Sequence, residues 1–195
     1  MNHLNEDLSK DRTTFCVDLL SNTHLRAKAL HDFVIQSEAT KAWYLQNQDK
    51  IKLVDDGIEL QGLVFCLDNE EDQANGVDVW NNEGHTYFTF DAAQKHAAEH
   101  GKRVPTDEEW QNLVDFLPEF KSISFFIDVL KVPLVGYRSP DESALQFHGI
   151  FTYLWSSSEI HATGAYSRHL HYRFIKVLRS YNLKTFGFNV RCVKD

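Results

Sequence analysis

His169 and His171 stand two residues apart in a run suited to a strand, where both imidazoles would leave the same face as a pair of metal ligands does, with His161 in the loop before them. No carboxylate or cysteine accompanies them between His161 and Phe186. A metal centre needs a fuller donor set, so these rings read as exposed recognition groups. His96 and His100 share a helical face beside Glu99, but the order is not that of an H-E-x-x-H zinc peptidase, and a solvated helix face is expected. Asp68, Glu70 and Asp72 alternate as calcium ligands do, without the glycine that a calcium loop needs for its turn; they read as an acidic surface loop. Cys16, Cys66 and Cys192 are odd in number and have no C-x-x-C spacing, which points to reduced, mostly buried thiols. No G-x-S-x-G elbow marks a serine nucleophile. Neither a catalytic residue, a metal site nor a cofactor is expected.

The elements that would position these groups follow from composition and period. At 195 residues with 43% hydrophobic side chains, the chain has material for one well-buried domain and a small appendage. A net charge of -8 argues against general affinity for nucleic-acid backbones. From His161 onward, however, Arg168, Arg173, Lys176, Arg179, Lys184, Arg191 and Lys194 face the single acid Asp195, so a locally basic face is expected. The N-terminus lacks a secretory pattern and no apolar run approaches the roughly 20 residues of a membrane span, which implies a cytoplasmic product.

Residues 4–48 contain no Gly or Pro and space Phe15, Leu19, Leu25, Ala29, Phe33 and Trp43 as helices do; Thr23 and Ser37 are candidate breaks or N-caps. This divides the chain into a helical preface, 1–48, and a main domain, 49–195. Ile51 to Leu67, interrupted by Gly57 and Gly62, predicts paired strands with a turn or bulge, and Trp80 to Phe90 a loop and short strand. Asp91 to His100 predicts a helix ended by Gly101, and Thr106 with Glu109 a capping box for a second helix that Pro118 stops. From Phe125 onward strands are expected, at Val132 to Tyr137, Gly149 to Trp155, Ala165 to Phe174 and Phe188 to Val193. The fold class is α+β.

Lys102-Arg103-Val104-Pro105-Thr106-Asp107-Glu108-Glu109-Trp110 resembles the G-x-R-[LV]-P-T-x-x-E-W signature of formylglycine-generating enzymes and sulfatase-modifying proteins. Together with Val132 to Arg138, Trp155-Ser156-Ser157-Ser158, Ala165-Tyr166 and Gly187 to Asp195, it resembles the Fibrobacter succinogenes major paralogous domain over about residues 51–195. The resemblance implies a C-type-lectin-like fold and a kinship with the variable proteins of diversity-generating retroelements, whose adenine-directed mutagenesis randomises codons near the C-terminus. Randomised AAY codons cannot yield Lys, Glu, Gln, Met or Trp, and between His161 and Phe186 only Lys176 and Lys184 belong to that set. About half a dozen would be ordinary for a stretch of this length.

The resemblance to formylglycine-generating enzymes also implies an oxidase, but the close cysteine pair of those enzymes is missing here. The Glu-Pro-Asn and Trp-Asn-Asp motifs of calcium-dependent sugar binding are missing too. The expected function is therefore non-catalytic binding of a protein or cell-surface ligand. Its contacts would come from Tyr166, Arg168, His169, His171, Arg173, Phe174, Ile175, Val177, Ser180, Tyr181, Asn182, Leu183, Thr185 and Phe186, a mixture typical of paratopes. Leu170, with Tyr172 or Phe174, is expected inside, Trp155 as a core pillar, and Arg191 as a structural pair-former. The alternatives are a virion or other assembly subunit with a fixed interface, and an oxidase. The N-terminal helices are expected to cover the domain's own core, with a homo-oligomer through them as the alternative, and nucleic acid is not expected as a partner.

Overall fold

The computed structural model describes residues 22–54, 57–66, 70, 78–82, 84–118, 121–141 and 145–194. The predicted helical spacing of 4–21, Cys16, Asp68 and Asp72 lie outside them. The architecture is mixed α and β, with small antiparallel sheets and helices packed around them.

Helix α1 spans Asn22–Val34 and α2 spans Glu38–Asn47. Between them Ser37 makes the cap foreseen from sequence: its Oγ accepts from the Thr40 N–H at 3.2 Å while its own N–H donates to Thr40 Oγ1 at 3.0 Å. Thr23 instead falls inside α1. Phe33 meets Phe125 edge-on at 5.2 Å, and the Trp43 indole N–H donates to the Phe116 carbonyl at 2.6 Å. Both helices thus bury their apolar stripe in the same core as the strands that follow.

Strands β1 (Ile51–Val54), β2 (Gly57–Leu60) and β3 (Leu63–Cys66) form a meander that β11 (Val193–Lys194) completes, in the order β1-β2-β3-β11. The turn at Gln61-Gly62 holds φ at 55° and 87°, the left-handed pair that a two-residue hairpin requires. Strands β4 (Val79–Asn82) and β5 (His85–Phe88) are a second hairpin, where only one short strand was expected. Helix α3 (Phe90–Glu99) and helix α4 (Asp107–Phe116) follow. The α4 capping box is present: Thr106 Oγ1 accepts from the Glu109 N–H at 3.1 Å, and the Thr106 N–H donates to Glu109 Oε2 at 2.8 Å.

Phe125–Val129, expected to begin the strands, is a π-helical turn in which Leu130 N–H donates to the Phe125 carbonyl. The reason is burial: Ile123, Phe126 and Leu130 recur at helical spacing and all sit in the core, as Phe125 and Val129 do, while Asp128 is exposed. Val132 to Val135 is likewise not a strand; among the described residues the ladder there is β6 (Tyr137–Arg138) with β7 (Leu145–Gln146). A three-stranded sheet consists of β8 (Phe151–His161), β9 (Gly164–His171) and β10 (Leu178–Leu183), with β9 in the middle.

Two core clusters result. One joins α1, α2, α4 and the π turn to the four-stranded sheet and to Leu154 and Leu170. The other packs α3 against Phe88, Trp155, Phe188, Val190, Cys66 and Cys192. Trp155 is wholly buried, and its indole N–H donates to the Phe88 carbonyl at 2.8 Å, so it is the pillar the sequence implied. The closing segment from Gly187 is held by single bridges to Arg138, Phe88 and Leu154 before β11 begins, Arg103 bridges Val193 within β11, and the segment is not the continuous strand expected.

Candidate functional site

Side chains alternate across a strand, so the register of β8, β9 and β10 decides which residues share a face. Tyr166, Arg168 and Leu170 pair with Tyr181, Arg179 and, through β8, Thr152, and they lie on the α4 side. Ser167, His169 and His171 lie on the other side with Ser180, Leu178, Phe151 and Tyr153. The residues expected to form one surface are therefore divided between two.

On the side away from α4, aromatic rings stack outward from the core. Phe188, fully buried, lies 4.7 Å from half-buried Tyr153 at 20° between planes, and Tyr153 lies 4.6 Å from His169 at 17°. Phe151 stacks on Phe147 at 4.8 Å, and His171 stacks on Phe174 at 4.7 Å. Exposure rises along the array to 50% at Phe147 and 42% at Phe174. Phe186 leans on Tyr137 and Phe188 at its margin. Offset stacking of this kind stabilises each contact by about 0.5–1.5 kcal/mol beyond the area buried, and it fixes the outer rings in place. The wall is polar at one edge, where Asn182 Nδ2 donates to Ser167 Oγ at 2.9 Å beside half-buried Ser180.

Burial, with His171 nearby, pushes the His169 pKa below its ordinary value, so the ring is held in its neutral, stacking form. Burial also raises the Tyr153 hydroxyl.

The α4 side has a different character. Arg168, 1% exposed, donates through Nη2 to Asp107 Oδ1 at 2.7 Å and through Nη1 to Gln111 Oε1 at 3.1 Å. Arg179 reaches the other Asp107 oxygen at 2.8 Å and lies 3.8 Å above the Tyr166 ring. Arg168 is thus a structural residue and not a ligand contact. Val177 is also buried, its N–H donating to Ser122 Oγ at 2.9 Å. Both were expected on the surface. Tyr181, Leu183 and Thr185 are exposed, but Tyr181 and Leu183 belong to this second face. Tyr172 and Phe174, candidates for the interior, are exposed instead because β9 ends at His171 and the chain turns. Ile175 stands out at 58%, and the Arg173 guanidinium lies over the Tyr172 ring at 5.3 Å. Leu170 is buried as expected.

The basic excess of the C-terminal segment is largely spent inside the molecule. Asp107 takes Arg168 and Arg179, and Glu159 takes Lys184 at 2.7 Å. Arg191 is buried and donates to the carbonyls of Cys66 at 3.1 Å and Lys131 at 3.2 Å. The aromatic array, more than positive charge, characterises the open face. Phe147, Phe151, Tyr153 and Tyr137 escaped the sequence reading, although the period of two in Phe151-x-Tyr153-x-Trp155 marks one strand face.

A separate buried cluster corrects two further expectations. His96, read as solvated, is 6% exposed with Nε2 3.5 Å from Glu70, and Glu70, read as part of a surface loop, is buried and bonded to Lys102 Nζ at 2.8 Å. Cys66 and Cys192 beside it are buried thiols. Among the described residues no group of three or more His, Cys, Asp or Glu is placed to hold a metal ion, and no helix is long and apolar enough to cross a membrane. No protein-family model, curated protein or solved structure matches the chain.

Proposed function

We propose that this chain is a non-catalytic binding protein whose aromatic and histidine face, on a C-type-lectin-like frame, takes a protein or cell-surface ligand. One observation carries the reading: Phe188, Tyr153 and His169 stack outward from a fully buried base, and His169 meets edge-on a second stack of Phe147, Phe151, His171 and Phe174 that reaches a half-exposed rim. Such an array offers large, preorganised contact area at little entropic cost, which is the chemistry of an anchor site. Ser180 and Asn182 at its edge supply adaptable hydrogen bonds. The frame reading is supported by α3 and α4 in succession, the Thr106 cap, and the closing segment running beside β3, β5 and β8.

In this reading the segment from His161 to Phe186 is, or descends from, the diversified part of a retroelement variable protein. The test is the source DNA beside the gene. A near-copy of the segment encoding Trp155 to Asp195, differing only at adenines and accompanied by a reverse transcriptase, is expected; gene copies that vary evenly along their length would instead identify a fixed assembly subunit.

The assembly reading draws on one observation of its own. Phe147, Ile150, Tyr172, Phe174 and Ile175 are all exposed near one end of the three-stranded sheet, where a neighbouring subunit would cover them.

A further inference from the structure

The strongest unassigned chemistry lies in the core cluster beneath the aromatic array. In the β3–β11 ladder, Phe65 pairs with Val193 and Val64 with Lys194. That register sets Cys66 directly opposite Cys192, and the Cys66 N–H donates to the Cys192 carbonyl at 3.0 Å. Alternation places the side chains as well: Phe65 and Val193 enter one core cluster, while Cys66 and Cys192 both enter the other. The two thiols therefore leave the same face of the sheet from facing positions. Facing residues of an antiparallel pair hold their Cβ atoms about 4.5–5.5 Å apart, against about 3.5–4.5 Å in a disulfide. Hydrogen-bonded facing pairs lie at the wide end of that range, so a closure of about 1–2 Å joins them.

We propose that Cys66 and Cys192, expected from sequence to stay reduced in a cytoplasmic product, are instead a built disulfide pair, joined when the chain folds in an oxidising compartment. As the Sγ–Sγ bond forms the two thiols lose two electrons and two protons, and a small disulfide such as glutathione disulfide is reduced to two thiols. The bond has work to do at this position. Strand β11 is only two residues long and the segment before it is held by single bridges, yet that segment carries Phe188, the base of the aromatic array.

The surroundings set the timing. Burial, then Glu70, pushes the Cys192 thiol far above its ordinary pKa. A protonated, buried thiol is a poor nucleophile, so the bond forms before Glu70, His96 and Lys102 close over it and is afterwards sheltered from reductants.

The test is independent of any ligand. The full chain is unfolded, reduced and refolded in a glutathione redox buffer, then digested without reduction and mapped by mass. A Cys66–Cys192 linked peptide is expected, with a melting temperature roughly 10 °C above that of the reduced protein. Cys66→Ala should abolish the difference, and because the linkage is read in the unmutated chain, poor folding of that variant would not obscure it. Recovery of both cysteines as thiols from refolded protein, a linkage that uses Cys16, or a bond that lowers the melting temperature would each overturn the proposal.

Discussion

Asp107 Oδ1 lies 2.7 Å from Arg168 Nη2, joining the first residue of α4 to the middle strand of the three-stranded sheet. The guanidinium is 1% exposed and the carboxylate side chain 13%. A charge buried to that degree is tolerated only with its partner in place. Asp107→Ala should therefore cost about 3–5 kcal/mol in chemical denaturation. Arg179 also touches Asp107 but is half exposed, so Arg179→Ala should cost no more than about 1 kcal/mol. Equal losses at the two positions would contradict the burial of Arg168.

The acid limb of the stability profile should depend on Glu109. Its carboxylate takes both terminal nitrogens of Arg103, at 2.7 Å each, and this pairing, opposed by burial, holds its pKa below the usual value. A carboxyl lowered on folding stabilises the native state above its unfolded pKa, and that stabilisation is lost as pH falls through the folded value. The window opens below about pH 4.3, the ordinary Glu value. Arg103→Gln should flatten this limb when melting temperature is followed from pH 6 downward; an unchanged slope would show that the pair contributes nothing to the pH dependence.

His169 should report on the aromatic array. Burial lowers its folded pKa, so the native state favours the neutral ring. Stability from this residue is present above the ordinary imidazole value of about 6.5 and is lost as pH falls from there through the folded value. An NMR titration should place the His169 midpoint below about 6.5, and His169→Gln should remove its share of the loss between neutral and mildly acidic pH. A midpoint at or above the ordinary value would mean that the ring is not packed against Tyr153.

Binding should separate the two sides of the sheet. Phe186 borders the stacked rings, while Tyr181, 72% exposed, belongs to the α4 side. For a ligand found by screening arrays of extracellular proteins and glycans, Phe186→Ala should weaken binding roughly tenfold or more and Tyr181→Ala less than about twofold, as measured by surface plasmon resonance. The reverse order would move the site to the opposite face.

What was legible in the sequence was local. Ser37 and Thr106 announce their caps because a cap is set within four residues, and the turn at Gly62 lies between two short apolar runs close enough in the chain to pair as a hairpin. Trp155 and Leu170 were also readable as core, being large apolar groups on strands. The site was less legible, for two reasons. Arg168 looks like any surface arginine until Asp107, 61 residues away in the chain, is brought beside it. The division of the predicted contacts into two faces depends on the exact register of β9 with β8 and β10, and a shift of one residue would exchange the faces. His96 and Glu70 were misread similarly, since each is buried through the other and through Lys102.

The alternation along β9 also constrains how this surface can change over generations. Leu170 is committed to the interior and Arg168 to Asp107, whereas His169 and His171 between and beyond them contribute to the open array. If the proposed binding face is correct, a randomised library built on this frame would reach new specificities by varying 169, 171, 174, 180, 182 and 186 while keeping 168, 170 and 177 fixed. Variation at every position would spend most of its members on chains that no longer fold.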